Sequence, residues 1–283
     1  MSLTIENNIL MKNGKPFFYL ADTCWSAFTN IKDNDWDYYL DYRKSQGFNT
    51  LQINILPQWD ASATDLCYEP FEVIDGKYNY KKLNLSYFEH ADKMCARAKE
   101  KGFELALVIM WCNFVPDTWA SQFYSKGIMP IDCIDNYINI IHETFTKYEP
   151  LYIISGDTDF NTEQCIEYYV KCAKQIKELA PNCLYTTHIK GRYTYIPDNL
   201  YSYLDLCFYQ SGHNAQNLGM PYLLAEEMAD KYKGKPVINS EPCYEDMGYS
   251  RQMYGRWSKE DIIRAAWMSL LSGASAGITY GAA

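Results

Sequence analysis

Two acidic residues follow apolar runs in a way that could place both of them at the mouth of one site. Glu241 comes after Val237 and Ile238 in the stretch KPVINSEPCYE, and Asp157 ends the apolar run of LYIISGD. A short apolar run that stops at polar residues is typical of a buried parallel strand that delivers a side chain to its loop. A strand-end acid can also do no more than cap the next helix. Two of them in one repeating strand–helix pattern favour catalysis.

Two carboxylates facing one cleft suit the hydrolysis of a glycosidic bond. One acid gives a proton to the leaving oxygen, and the other acts in its ionised form as a nucleophile or as a base toward water. The two environments must therefore push the two pKa values apart. We predict that Asp157 is the acid and that Glu241 is the nucleophile or base, and Asp159 is the alternative to Asp157.

Polar and aromatic residues at the other predicted strand ends and in nearby loops are candidates for binding sugar rings and hydroxyl groups. These candidates are Asp22, Trp25, Trp59, Trp111, Asn113, His188, Gln210, His213, Glu245 and Tyr280. The tryptophans could serve as sugar platforms or as packing at the rim. The two histidines could bind hydroxyls or orient the acids, and Glu245 is the alternative to Glu241.

Other chemistries lack their motifs. Neither GxGxxG nor GxxxxGK[ST] nor GxSxG occurs, so we predict no nucleotide cofactor and no α/β-hydrolase elbow. Asp22, His188, His213 and Glu241 could converge on a metal, but there is no HxH after the first strand and no HExxH helix. We predict that no metal is bound, and a metal-dependent hydrolase is the weakest alternative.

Composition restricts the partners. The net charge is -9 and there is no run rich in Lys and Arg, so we predict no nucleic-acid partner. No apolar run is long enough to span a membrane. The ten cysteines form no CxxC pair and no signal peptide is visible, so we expect free thiols and a cytoplasmic location. The sequence leaves the oligomeric state open.

Alternating apolar runs and helical patterns predict an α/β fold, a (β/α)8 TIM barrel. A hairpin with an Asn13–Gly14 turn, within 5–16, should close its bottom. The predicted strands are 17–22, 50–56, 104–110, 151–156, 184–189, 205–210, one on the apolar pair 237–238 of the stretch 235–245, and 276–280. The predicted helices are 35–46, 85–101, 131–147, 162–180, a short turn at 199–204, 221–232 and 258–272. A long loop, 57–82, is expected to be functional. We expect residues 1–283 to form one domain that can be part of a longer protein, since no eighth helix follows the last strand.

Six segments in order resemble the apiosidase-like glycoside hydrolase family. They are NGKPFFYLADTCW (13–25), GFNTLQINIL (47–56), SGD (155–157), QSGH (210–213), SEPCYE (240–245) and AGITYG (276–281). The resemblance covers nearly the whole chain. It implies a (β/α)8 catalytic barrel, a carbohydrate substrate of plant type, and Asp157 and Glu241 as the catalytic pair.

The chain departs from that pattern in two ways. Members of the family usually carry a secretion signal and a C-terminal module, and neither is visible here. The wider superfamily of retaining glycosidases usually has Asn-Glu after strand four, where this chain has Gly156-Asp157. The shorter aspartate leaves retention or inversion of configuration open. A carbohydrate-binding barrel without catalysis is the main alternative to an enzyme.

Overall fold

The computed structural model describes residues 3–59, 68–249 and 254–283, and the chain forms thirteen strands within these ranges. The strands are β1 (Leu3–Glu6), β2 (Ile9–Lys12), β3 (Lys15–Pro16), β4 (Tyr19–Thr23), β5 (Thr50–Asn54), β6 (Phe71–Ile74), β7 (Lys77–Leu83), β8 (Glu104–Trp111), β9 (Leu151–Gly156), β10 (Leu184–Thr186), β11 (Cys207–Tyr209), β12 (Val237–Asn239) and β13 (Gly277–Tyr280).

Eight of these strands run parallel and form a nearly closed barrel, which confirms the predicted fold class. Their hydrogen-bonded order is β10-β9-β8-β5-β4-β13-β12-β11. The two end strands approach each other where the Asp205 N–H donates to the Tyr185 carbonyl at 2.8 Å. Every residue of β5, β8 and β9 is buried, because barrel side chains on one face fill the interior while those on the other face pack against helices.

Eight α-helices lie between the strands in the described ranges. They are α1 (Ala27–Asn30), α2 (Asp33–Ser45), α3 (Leu85–Glu100), α4 (Ile134–Phe145), α5 (Glu163–Leu179), α6 (Asp198–Tyr201), α7 (Met220–Lys231) and α8 (Lys259–Leu271). The predicted caps are confirmed: Thr162 accepts from the Cys165 N–H at 3.2 Å, and Ser258 forms a capping box with Asp261. The short helix α1 was not predicted.

The predicted hairpin around Asn13–Gly14 is present and belongs to a three-stranded sheet, β1-β2-β3. It lies at the N-terminal end of the barrel, because Lys12 pairs with Glu104, the first residue of β8. Glu104 is buried and is also held by Lys99 at 2.8 Å. This end of the barrel is therefore closed by the sheet, which leaves the opposite rim for a ligand.

The predicted single long loop at 57–82 is wrong in its second half. β6 and β7 form an antiparallel hairpin there, with Asp75 and Gly76 in the left-handed turn. The Asp-Gly pair in the sequence is itself a strong hairpin signal, and it explains why this half of the segment is not a loop. Phe71 packs against Tyr78 and Tyr80, with ring centroids 5.3 and 4.9 Å away. Residues 60–67 of the predicted loop lie outside the described residues.

The described cysteines are free thiols, as expected. They are Cys24, Cys95, Cys112, Cys133, Cys165, Cys172, Cys183, Cys207 and Cys243. Among the helices that the structure describes, none combines the length and apolarity needed to cross a bilayer.

We expect Ser258→Ala to lower the free energy of unfolding by about 1 kcal/mol, because the first turn of α8 loses an N-terminal cap. Urea unfolding of the purified variant measures this. Ser272→Ala, at the other end of the same helix, is the matched control. Equal stability of Ser258→Ala and the wild type would show that the cap contributes nothing.

Candidate active site

A cavity of about 520 Å³ opens at the rim formed by the C-terminal ends of the strands. The segments after β4, β5, β9 and β12 and the last residue of β8 contribute to its walls. The lining residues are Thr23, Cys24, Trp25, Ser26, Ala27, Asn30, Ile31, Tyr39, Gln58, Trp59, Trp111, Asp157, His213, Glu241, Tyr244, Met247, Ala282 and Ala283. Both predicted catalytic carboxylates, Asp157 and Glu241, are therefore in one cavity.

Glu241 lies two residues beyond β12, and side-chain donors hold both of its carboxylate oxygens. Oε2 accepts from Gln210 Nε2 at 2.6 Å and from His188 Nε2 at 2.9 Å. Oε1 accepts from His213 Nε2 at 2.7 Å. The residue is 8% exposed, so a carboxylate without these donors would be costly to bury.

The donors decide the protonation of Glu241. Burial by itself raises the pKa of this carboxyl, but the hydrogen bonds and electrostatic attraction from the His188 and His213 rings outweigh burial and hold the pKa well below its usual range. Glu241 is therefore ionised at neutral pH.

The second ring nitrogen of His188, which faces away from Glu241, is also hydrogen-bonded. Its Nδ1 lies 2.8 Å from Ser240 Oγ, and the ring is fully buried. A carboxylate can accept but cannot donate, so the nitrogen that faces Glu241 carries a proton. Ser240 is further anchored by its carbonyl, which accepts from Gln52 Nε2 at 3.0 Å. His188 thus holds the Glu241 carboxylate from a fixed position, and its two predicted roles, orienting a catalytic acid or binding a sugar hydroxyl, stay predictions.

Asp157 directly follows β9 and adopts a left-handed backbone conformation with φ of 50°. Its carbonyl accepts from the indole N–H of Trp119 at 2.7 Å. A non-glycine residue held in this region at a strand end is common where function requires a particular side-chain direction. Asp159, the alternative acid, points elsewhere: it pairs with Lys190 at 2.8 Å and does not line the cavity.

An aromatic cluster forms the wall around Glu241. Trp25 meets Trp111 edge-on with ring centroids 5.3 Å apart, and Trp111 stacks on His188 at 5.5 Å. The Trp25 indole N–H donates to Tyr244 Oη at 2.7 Å. Tyr244 in turn lies 4.4 Å, centroid to centroid, from His213. The rings and the donors of Glu241 therefore form one continuous packed unit.

Gly156 makes room for this wall. A Cβ atom at this position would lie 2.1 Å from Cε3 of Trp111, a distance that no packed side chain tolerates. The last residue of β9 is therefore small because the indole lies directly over its backbone. Glycine in place of the Asn of the Asn-Glu pattern therefore has a packing reason.

Six predicted ligand contacts are not among the residues that line the cavity, and one of them is His188, described above. Asp22 is buried beneath it and accepts from Arg43 Nε at 2.6 Å and from Tyr39. Asn113 is buried. Gln210 reaches the site through Glu241. Glu245 accepts from Tyr280 Oη at 2.6 Å, and its backbone pairs with that of the lining residue Ala282. Direct sugar contacts by these residues remain untested predictions.

Four residues at the site are not among the sequence predictions: Tyr244, Tyr39, Ser240 and Trp119. Tyr244 stands between Glu241 and Glu245, in a motif whose acids carry the more obvious chemical signal. Helical spacing alone predicts Tyr39 as a residue of α2, yet it also lines the cavity. Ser240 and Trp119 act through another residue, and neither spacing nor composition signals such a role.

No set of three or more His, Cys, Asp or Glu side chains within the described ranges is grouped in a way that could hold a metal ion.

The comparisons with known proteins agree with this architecture. The sequence model of the apiosidase-like catalytic domain matches residues 5–283. The chain belongs to this family. The resemblance that the six sequence segments indicated is confirmed. No curated protein matches the sequence.

Solved structures resemble the apiosidase-like domain along nearly its full length. A glycoside hydrolase family 5 protein from Bacteroides vulgatus ATCC 8482 aligns with a TM-score of 0.82 and 25% identity, and the alignment covers 99% of this chain and 62% of that protein. A second glycoside hydrolase aligns with a TM-score of 0.81 and 26% identity, and the alignment covers 99% of this chain and 65% of that protein. The chain thus spans less than two thirds of these proteins. An endo-1,4-β-mannanase from Rhizomucor miehei shares the fold, with a TM-score of 0.63 and 14% identity. That alignment covers 99% of this chain and 90% of the mannanase.

We expect Gly156→Ala to destabilise the apiosidase-like domain by about 1–3 kcal/mol, because the added methyl group collides with Trp111. Urea unfolding measures the effect. A second variant, Gly156→Ala with Trp111→Phe, should lose less than the sum of the two single changes, since the smaller ring leaves space. Additive losses would mean that the indole does not create the constraint.

Glu241 should also give stability a particular pH dependence. Its pKa is lower in the folded protein than in the unfolded chain, so the ionised group stabilises the fold above the ordinary glutamate pKa of about 4.3. That contribution is lost as the pH falls below this value. The gap in free energy of unfolding between wild type and Glu241→Gln should therefore be widest near pH 7 and shrink toward pH 3.5.

Urea unfolding of both proteins at several pH values tests this. Glu226→Gln, on the exposed side of α7, is the control for a glutamate outside the site. A gap that stays constant or grows toward low pH would contradict the low pKa of Glu241.

Proposed function

We propose that this domain is a glycoside hydrolase that cleaves O-glycosidic bonds in plant-type oligosaccharides or polysaccharides with Asp157 and Glu241. The main support for this proposal is the ionised Glu241. Three side-chain donors hold it on the wall of a cavity that Asp157 also lines. Family membership and the likeness to glycoside hydrolases support the reaction class.

The environment of Glu241 favours a nucleophile over a general base. A general base works best when its pKa is close to the working pH, whereas the pKa of Glu241 is held far below it. A carboxylate that stays ionised and fixed in direction can instead attack the anomeric carbon. This assignment predicts retention of configuration.

Asp157 is then the acid and base of the two steps. In the first, Glu241 forms a bond to the anomeric carbon while the glycosidic C–O bond breaks and Asp157 gives its proton to the leaving oxygen. In the second, water replaces Glu241 at the anomeric carbon and returns a proton to Asp157. Asp157 suits this role better than Asp159, since Asp159 is paired with Lys190 outside the cavity lining.

The rings of Trp25, Trp111 and Tyr244 beside Glu241 suit the sugar that reacts. Indole and phenol faces pack on the apolar faces of pyranose or furanose rings, and the polar edges of Thr23 and His213 can bind hydroxyl groups.

We expect Asp157→Asn to lower kcat/KM about 10²–10⁴-fold on substrates with poor leaving groups, as is usual for loss of an acid catalyst. Glu241→Gln should lose at least as much on every substrate. Turnover is measured on apiose-containing pectin fragments, other plant oligosaccharides, manno-oligosaccharides and the matching 2,4-dinitrophenyl glycosides. The last group needs no proton to depart, so it should largely spare Asp157→Asn but not Glu241→Gln.

Asp159→Asn is the matched control, and its activity should remain within a few-fold of the wild type. Proton NMR of the first anomer released shows retention or inversion. Inversion would make Glu241 a base, and full activity of Asp157→Asn on natural glycosides would move the acid role to Asp159. A wild type that binds a glycan without releasing product would favour a carbohydrate-binding barrel.

A further inference from the structure

A strip of three aromatic rings leads from the cavity to the outer surface on one side. Trp59 lines the cavity and meets Trp119 edge-on, with ring centroids 5.3 Å apart. Phe123 lies 6.1 Å from Trp59 on the other side, and its side chain is 62% exposed. Large aromatic rings left open at a cavity mouth commonly mark a binding surface.

A second, open cavity of about 500 Å³ adjoins the same strip. Trp119 forms part of its wall, together with polar side chains from two segments: Asp117, Gln122 and Asn161. An aromatic face bordered by amide and carboxylate groups matches a sugar, which has apolar C–H faces and hydroxyl groups around its edge. An apolar partner would instead require a uniformly apolar wall.

The strip lies on the side of the site where Asp157 is. The Trp119 indole N–H donates to the Asp157 carbonyl at 2.7 Å, so the ring is fixed to the residue that would carry the proton. Glu241 and its donors, by contrast, belong to the wall of Trp25, Trp111 and Tyr244. In glycoside hydrolysis the acid contacts the leaving oxygen, so the leaving group departs on the acid's side.

We propose that the strip of Trp59, Trp119 and Phe123 is the subsite for the leaving group, and that this leaving group is itself a sugar. The inference rests on the function proposed above and deepens it, because it assigns the residues that bind the leaving sugar, which stacks on the strip. Glycosyl donors with a very small leaving group would leave it unfilled.

The stacked pair Tyr38 and Tyr42 provides a comparison within the same chain. Both rings are exposed, at 72% and 50%, with centroids 6.1 Å apart on α2. Neither residue lines the cavity at the rim. Tyr38 is thus an exposed aromatic residue outside the site and serves as the matched control.

The test compares two substrates with the same reacting sugar: its glycosyl fluoride, whose leaving group is one atom, and a trisaccharide. Phe123→Ala should lower kcat/KM on the trisaccharide about fivefold, mainly through KM, and change fluoride release much less, since a fivefold loss corresponds to the roughly 1 kcal/mol that one stacked ring contributes. Phe123→Tyr keeps the ring and should retain the preference of the wild type. Tyr38→Ala should behave as the wild type does on both.

The outcomes separate the two proposals. Fluoride release by the wild type, with Phe123→Ala affecting both substrates equally or neither, would overturn the leaving-group subsite and leave the glycosidase standing. If the wild type releases fluoride from none of the glycosyl fluorides and cleaves no trisaccharide, the proposed function fails and the subsite fails with it. Thermal unfolding of each variant confirms that the fold is intact.

Discussion

The site depends on one buried carboxylate and on the way its charge is compensated. Glu241 follows β12, while its donors follow two other strands: His188 follows β10, and Gln210 and His213 follow β11. Withdrawing a carboxylate from water is costly, and removing one donor would leave a charge that is partly unpaired. The strands that carry these groups must therefore keep their relative positions.

The barrel meets this requirement because its strands are short, parallel and buried. β11 and β12 pair in register, with Tyr209 opposite Asn239, so the residues that follow them emerge side by side. At the same rim the ladder is open between β10 and β11. Side chains span this opening, since His188, after β10, contacts Gln210, after β11, at 3.2 Å and also the hydroxyl of Ser240, after β12. The polar network thus contributes to closing the rim as well as to holding the Glu241 carboxylate.

Aromatic packing divides the rim into two halves. One half, built on Trp25, Trp111 and Tyr244, surrounds Glu241, and Gly156 is small because Trp111 lies against it. The other half begins at Trp119, which is bonded to the backbone of Asp157. Two carboxylates placed in such different surroundings can differ in protonation, which is what an acid paired with an ionised partner requires.

Local patterns were enough to predict the barrel, because buried parallel strands are short apolar runs and helices between them carry caps such as Thr162 and Ser258. They also located Asp157 and Glu241 at strand ends. Packing decided the rest. Asp22 and Asp159 carry the same local signal, yet each is paired with a cation outside the cavity lining, with Arg43 and Lys190 respectively. Those partners come from distant segments, and no local pattern records which cation a carboxylate will meet once the chain has folded.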